Sequence, residues 1–320
     1  MALLLADLHF GLKRKSGATQ TSMAAYADFQ FHTVESILAE SADDHLLILG
    51  DIFSEAEVDN AVFLRTFELL SQWEGRLTLV MGNHDQVKDR SKLSSISLLA
   101  RLLPNAELIE NPTAFPDYWI IPHLKNQELF DQALAKAEGQ VILTHANFSN
   151  PFAAESDHSL NITPEQAAKH PLIISGHEHN ARQLGNVHML GSPYPCSIAE
   201  VTDKFCHTWD GETAPVPFLT WSNEQYTEID WRSLEPTDHQ FIRVIGDAPA
   251  DEAATVLQEF SKFRAASPAF FISNSVKIGN LEIGALDESS EELENFDPVA
   301  ALKSVLSEKH RARLEEVMAA

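Results

Sequence analysis

Short apolar runs recur along the chain, and each stops at polar residues capable of chemistry. Ala2–Ala6, Leu46–Leu49, Leu77–Met81, Val141–Thr144 and Leu172–Ser175 are near-continuously hydrophobic. That pattern reads as strands buried on both faces. Between them the spacing changes to that of helices. Tyr26–Glu40 places Phe29, Val34, Ile37 and Leu38 on one stripe, and Ala61–Trp73 is similarly amphipathic. Ser97–Leu103 is helical until Pro104, Glu128–Glu138 until Gly139, and Pro164–Lys169 is entered through Thr163 as its cap. Strand and helix therefore alternate, which predicts an α/β fold with ligands at the carboxyl ends of the strands.

The second half of the chain changes character. Tyr118–Ile121 predicts a short strand followed by Pro122 and His123, and the segments after the Gly191–Pro195 turn read as strands through Trp231. Phe241–Ile245, Ala250–Phe263 and Ala269–Ile278 read as strand, helix and strand, a small α+β unit. An acidic stretch, Asp287–Asn295, leads to a helix capped by Asp297 and Pro298 that carries Val299, Leu302, Val305 and Leu306 on one face. A second short helix carries Leu314, Val317 and Met318. The expected domains are residues 1–232, a small unit at 233–284, and an acidic linker with a helical tail at 285–320.

The polar residues that close the apolar runs are of few types. Asp7 and His9 close the first run and Asp51 the second; Asn83, His84 and Asp85 close the third, His145 the fourth, and His177 and His179 the last. Residues two apart at a strand's end point the same way, so Asp7 with His9, and His177 with His179, form natural pairs. Imidazole with carboxylate suits a divalent transition metal better than Mg²⁺ or Ca²⁺, which prefer oxygen. Asp85 reads either as the residue that orients His84 or as a plain turn. Lys13–Thr21, with Lys13 and Arg14, reads either as a solvated basic loop or as a phosphate contact. Among the other histidines, His123 and His188 stand closest to strand ends or to the Gly191 turn. Trp221 and Trp231 read as packing residues rather than base-stacking platforms.

The ordered set D-x-H, G-D, G-N-H-D, H and G-H-x-H resembles the calcineurin-like metallophosphoesterase superfamily over roughly residues 1–200. The resemblance implies a two-sheet α/β metallophosphoesterase sandwich, here with a small α+β capping domain and a C-terminal helical tail. It implies one metal held by Asp7, His9, Asp51 and His179, and another held by Asp51, Asn83, His145 and His177. His84 is then kept off the metals, to give a proton or hydrogen bond to the leaving or a non-bridging oxygen. Two adjacent cations can generate a nucleophile from water and neutralise charge on the phosphoryl oxygens. Within the superfamily, G-H-E-H followed by Gly191-Ser192-Pro193, the G-D-I-F at Gly50–Phe53 and the I-P-H-L at Ile121–Leu124 are similar to the SbcD-type DNA double-strand-break repair nucleases. That group commonly has an acidic residue where this chain has Ser54. The closer resemblance implies Mn²⁺, a DNA substrate, exonuclease or endonuclease action, a homodimer, and an SbcC-like coiled-coil ATPase bound through the C-terminal helices.

Charge complicates the choice of substrate. The chain carries 23 basic and 47 acidic residues, a formal net charge of −24, whereas a protein that grips nucleic acid unaided usually shows a basic face. An ATPase partner with the missing basic surface reconciles the two. A phosphomonoesterase or cyclic-nucleotide phosphodiesterase acting on a small substrate is the alternative, and a scaffold that has lost its chemistry is a third. The last conflicts with seven filled ligand positions. No apolar run reaches membrane-spanning length, Met1–Ala6 is too short and uncharged for a signal peptide, and Cys196 and Cys206 match no metal or disulfide spacing. A cytoplasmic protein with reduced thiols is expected.

Overall fold

The computed structural model describes residues 1–13, 20–87, 92–149, 160–279 and 281–282. The expected acidic linker and helical tail, Arg14, and most of the Lys13–Thr21 loop lie outside the described residues. In chain order the first half is β1 (Ala2–Leu5), α1 (Gln20–Glu40), β2 (His45–Leu49), α2 (Asn60–Leu70), β3 (Arg76–Val80), α3 (Ser95–Leu102), β4 (Ala106–Ile109), β5 (Thr113–Ala114), β6 (Tyr118–Ile121), α4 (Gln127–Lys136) and β7 (Val141–His145). Then come β8 (Asn147–Phe148), β9 (Asn161–Ile162), α5 (Pro164–Ala167), β10 (Ile173–Gly176), β11 (Arg182–Leu184), β12 (Val187–Met189), β13 (Lys204–Trp209) and β14 (Val216–Trp221). The remainder is β15 (Tyr226–Asp230), β16 (Phe241–Ile245), β17 (Asp247–Ala248), α6 (Ala253–Ala266), β18 (Phe271–Asn274), β19 (Lys277–Ile278) and β20 (Leu281–Glu282).

Two mixed six-stranded sheets form the body, in the orders β14-β13-β1-β2-β3-β4 and β11-β12-β10-β7-β6-β5. The runs β1-β2-β3-β4 of the first sheet and β12-β10-β7-β6 of the second are parallel, as expected where helical crossovers cover the outer faces. Strand alternation decides which layer each residue joins. Leu4, Leu47 and Leu49 face the second sheet and pack with Leu143, Ile174 and Leu190. Their neighbours Leu3, Leu5, Leu46 and Ile48 face outward against Phe31, Val34 and Ile37 of α1 and Leu69 and Leu70 of α2. On the far side, Ile142 and Ile173 pack under Phe130 and Leu134 of α4 and Ala167 of α5. Both faces of each central strand are thus dry, which is why these runs carry no polar alternation.

The helix boundaries follow local chemistry. The Asp59 carboxylate accepts from Ala61 and Val62 at the start of α2, and α5 opens with the expected Thr163 cap, completed by Gln166 as a capping box. β4 was not legible in the sequence because its A-E-L-I is an edge strand, only partly buried.

The small unit contains the parallel sheet β15-β16-β18 and the sheet β17-β19-β20, with α6 packed through Val256 and Phe263. Its first strand, β15, is contributed from before residue 233. The single strand expected over Ala269–Ile278 is two strands in two sheets. The chain bends at Gly246 (φ +123°) between β16 and β17, and β18 and β19 follow the same break as their partners. Trp231 packs in this unit's core, whereas Trp221 joins Tyr26, Phe241 and Phe271 in an aromatic cluster that ties the unit to α1 and β14. Among the described residues no helix is long and apolar enough to cross a membrane.

Candidate metal centre

The loops leaving β1 and β2 continue side by side past the ends of their strands. Asp7 N donates to Gly50 O at 3.1 Å, His9 N to Asp51 O at 3.0 Å, Phe10 N to Ile52 O at 2.9 Å and Ser54 N to Phe10 O at 3.0 Å. This paired path holds Asp7, His9 and Asp51 in left-handed backbone (φ 56°, 46° and 52°), and His177 in the loop after β10 joins them at φ 81°. Asp and His tolerate that region better than most side chains, yet each occupancy carries strain. The Asp7 carboxylate accepts from His177 N at 2.9 Å, which ties the two sheets together at this point.

Two donor groups result. Asp7, His9 and His179 form one, with His9 Nε2 3.0 Å from His179 Nε2. Asp51, His145 and His177 form the other. His145 Nε2 lies 3.3 Å from Asp51 Oδ2 and 3.0 Å from Asn83 Oδ1, and His177 Nδ1 is also 3.0 Å from that amide oxygen. Asp51 Oδ2 is shared, since it lies 3.7 Å from His9 Nε2 as well. The chemistry of these donors fits a cation pair. His145 Nδ1 donates to Leu49 O at 2.8 Å, so the neutral ring turns a lone pair toward two oxygens that are themselves acceptors. Such a cluster needs a proton or a cation at its centre.

Without metal, a proton takes that place. Burial alone would depress His145, but the Asp51 charge and hydrogen bond, then Asp7 and the Leu49 carbonyl, outweigh it and lift the imidazole to about 9. Burial likewise opposes ionisation of Asp51, but His145 beside it holds the carboxyl well below the usual range. Burial, only partly offset by His145 and His179, raises Asp7 to about 6, and burial followed by His179 lowers His9 to about 3. His177 is also held well down, first by burial and then by His145. Divalent cations would displace the protons of His145 and Asp7 and match the carboxylates, while His9 and His177, held down, carry none to displace. Histidine nitrogens, one amide and shared carboxylates form a donor set for transition metals.

A family model for calcineurin-like phosphoesterases matches residues 2–181. The chain belongs to that family. No curated protein matches this phosphoesterase at the sequence level. A crystal structure of the Pseudomonas putida nuclease MPE is a distant structural neighbour, 16% identical, with a TM-score of 0.31 over 68% of this chain and 87% of that one. Another crystal structure is 13% identical, with a TM-score of 0.36 over 60% of this chain and 90% of that one.

The phosphoesterase site also holds residues whose parts differ from the sequence expectation. Asp85 does not orient His84. It is fully buried and its carboxylate accepts from the amides of Asp51 (2.9 Å), Phe53 (3.3 Å) and Gly82 (3.1 Å), so it splices the loops after β2 and β3. Burial and the Asp51 charge push it up to about 7. The His84 ring is set instead by Ser54, whose carbonyl accepts from Nδ1 at 2.9 Å, and Ser54 Oγ donates to His9 O at 2.7 Å. The position that departs from the SbcD pattern is therefore built into the site. His84 is exposed, its ring centroid is 5.0 Å from that of His9, and its amide donates to Asp51 Oδ1 at 3.0 Å.

His123 is brought to the centre, with ring centroids 6.3 Å from His145 and 6.5 Å from His177. His188 is not. Val187 and Met189 face the α4 layer, so alternation turns His188 between the sheets, where it is buried. There, burial first and His188 second hold His207 down at about 4. Lys13 is exposed and its ammonium is paired with Glu55 at 2.5 Å. Sequence reasoning missed Glu200, whose carboxylate lies 3.0 Å from His179 Nδ1. A lone Glu far along the chain from its histidine has no spacing signature. An open pocket of about 460 Å³ beside the centre is lined by His177, Glu178, His179, Asn180, Arg182 and Glu200.

Proposed function

We propose that this phosphoesterase is a DNA nuclease of the SbcD type that cleaves phosphodiester bonds with two divalent cations, Mn²⁺ foremost. The observation that carries the reading is Asp51 Oδ2 shared between two donor groups, with a His84 ring nitrogen within 4.8 Å of donor atoms of His9 and Asp51. Asp7, His9, Asp51 and His179 would hold one cation, and Asp51, Asn83, His145 and His177 the other. When bound, the pair supplies a nucleophile from water at neutral pH and positive charge to match that gathering on the phosphoryl oxygens.

The chain's own residues do the rest. Asp51, fixed by the His84 amide on Oδ1, keeps Oδ2 for sharing. The Ser54 carbonyl commits His84 Nδ1, which leaves Nε2 to give a proton or hydrogen bond to the leaving or a non-bridging oxygen. The small unit fused to α1 through the aromatic cluster supports a polymeric substrate, because a small ester has no use for it. The proposal extends to an SbcC-like ATPase bound through residues 285–320 and to a pair of copies, both on the sequence resemblance.

The test is a nuclease assay with Mn²⁺ on end-labelled linear duplex and circular single-stranded DNA, with a small phosphodiester in parallel and Asp51→Asn as control. DNA cleavage that vanishes in the variant is the expected result. Turnover of the small ester alone, even with a coiled-coil ATPase added, overturns the nuclease reading in favour of a small-substrate phosphodiesterase.

A further inference from the structure

We propose that Glu200 is a positioning residue that sets the tautomer of His179, and that the segment from Ser192 to Lys204 serves to hold that histidine in place for a cation. The inference rests on the reading that cations occupy the first donor group.

An imidazole ligates through a nitrogen that carries no proton, so its other nitrogen must carry one. His145 achieves this against the Leu49 carbonyl. His179 stands where the chain has left β10, and its Nδ1 faces Glu200 Oε2 at 3.0 Å instead. Donation from Nδ1 leaves the lone pair on Nε2, the atom 3.0 Å from His9 Nε2. A carboxylate partner also makes the ring a stronger donor to a cation than a carbonyl partner does.

Glu200 is itself held rigidly. Its Oε2 accepts from Cys196 N at 3.1 Å and its Oε1 from Ser197 Oγ at 2.9 Å, so the carboxylate cannot swing away without stranding both. The same segment grips the histidine's backbone. Ser192 N donates to His179 O at 3.1 Å, and Lys204 Nζ donates to the same oxygen at 2.7 Å and to Asn180 Oδ1 at 2.8 Å. Lys204 is 0% exposed, and a lysine is costly to bury unless its charge is matched. Here it fixes the main chain of His179 and Asn180 while Glu200 fixes the ring. Ring and backbone are thus located from one segment, the loop that leads into β13. Cys196 does not turn this cluster into a third metal site, because burial raises its thiol far above neutrality and keeps it protonated.

The full chain and its Glu200→Ala and Glu200→Gln variants are compared by nitrogen-15 NMR of the histidine rings in the metal-free protein at alkaline pH, and by Mn²⁺ titration calorimetry. Thermal melts confirm folding. In the wild type the His179 proton is expected on Nδ1. Glu200→Ala should move it, or mix the tautomers, and weaken one of two Mn²⁺ sites by about 10–100-fold while sparing the other. Glu200→Gln, whose amide oxygen still accepts, should retain the tautomer and lose less. An Nε2–H tautomer in the wild type overturns the inference. So does unchanged Mn²⁺ binding in Glu200→Ala, or equal loss at both sites in both variants. If the wild type takes up no Mn²⁺, the cation reading fails, while the tautomer still decides what Glu200 does.

Discussion

Gly50 offers the sharpest test of how the site is built. It lies between β2 and Asp51 at φ +89°, and a Cβ added there would stand 2.1 Å from His145 Nδ1, 2.6 Å from its Cγ and 2.8 Å from its Cε1. Gly50→Ala therefore carries three costs. The left-handed backbone costs about 1–2 kcal/mol with a side chain. Overpacking against the buried ring costs about 1–3 kcal/mol more. Expelling the ring breaks its bond to Leu49 O and leaves that carbonyl unpaired, about another 1–3 kcal/mol. The sum is about 3–8 kcal/mol, a large part of the roughly 5–15 that a domain possesses. Gly211 supplies the control, since its φ is +97° but nothing lies within 4 Å of an added Cβ. Gly211→Ala should cost only the backbone share, about 1–2 kcal/mol. Urea unfolding of the metal-free proteins measures both, and Mn²⁺ stoichiometry shows whether the second donor group survives. If Gly50→Ala is no less stable than Gly211→Ala and still binds two cations, the close packing of Gly50 on the His145 ring is wrong.

Other perturbations separate structural from chemical roles. Asp85→Ala strands three buried amides at about 1–3 kcal/mol each, so urea unfolding should show a loss of at least about 3 kcal/mol. Thermal stability equal to wild type would restore the idea that Asp85 serves only His84. His84→Ala should leave metal content, read by atomic emission, unchanged while turnover falls by about 10²–10⁴. Metal loss in that variant would place His84 among the ligands. Above pH 6.5 the metal-free protein should also lose stability as pH rises. His145 is raised from 6.5 to about 9, so its contribution is complete below 6.5 and disappears as pH climbs through 9. Below 6.5 the raised Asp7 acts with the same sign, but His9, lowered from 6.5 to about 3, acts with the opposite one, so the fall in stability shows between pH 6.5 and 9. Urea midpoints that stay flat from pH 6.5 to 9 without metal would refute the His145 assignment, and saturating Mn²⁺ should flatten the profile there.

The central strands were legible because each is buried on both faces, and a dry strand shows itself as an unbroken apolar run. The residues at their ends were legible because a site made of strand ends must recur at each of them. Asn83, His145 and His177 could therefore be found without a structure. The features that could not be read depend on contacts distant in sequence. Asp85 looks like any turn residue until its carboxylate is seen to take three amides from two loops. Ser54 looked like a departure from a pattern, yet it joins His9 to His84 through one hydroxyl and one carbonyl. His188 sits in a strand-like segment much as His123 ends one, and only the parity of β12 sends it between the sheets. β4 escaped because an edge strand with a half-wet face has too little pattern to stand out.

Among the described residues other than glycine, four of the five at positive φ are Asp7, His9, Asp51 and His177, the remaining one being Ser149. At about 1–2 kcal/mol each, the four site residues carry several kcal/mol of strain that no isolated loop could sustain. Reciprocity between the loops sustains it. The loop after β1 is bonded to the loop after β2 at Asp7, His9 and Phe10, and Ser54 bonds back to Phe10. The loop after β10 is bonded to the first by His177 N on the Asp7 carboxylate, and Asp85 fastens the loop after β3 to the second. No one of these loops can relax to ordinary backbone without breaking hydrogen bonds of another. The strain is therefore held by the protein's own hydrogen bonds, which keep the donor atoms close together. A site held in this way needs little chain ordering to take up cations, and a cation there has to displace protons from His145 and Asp7.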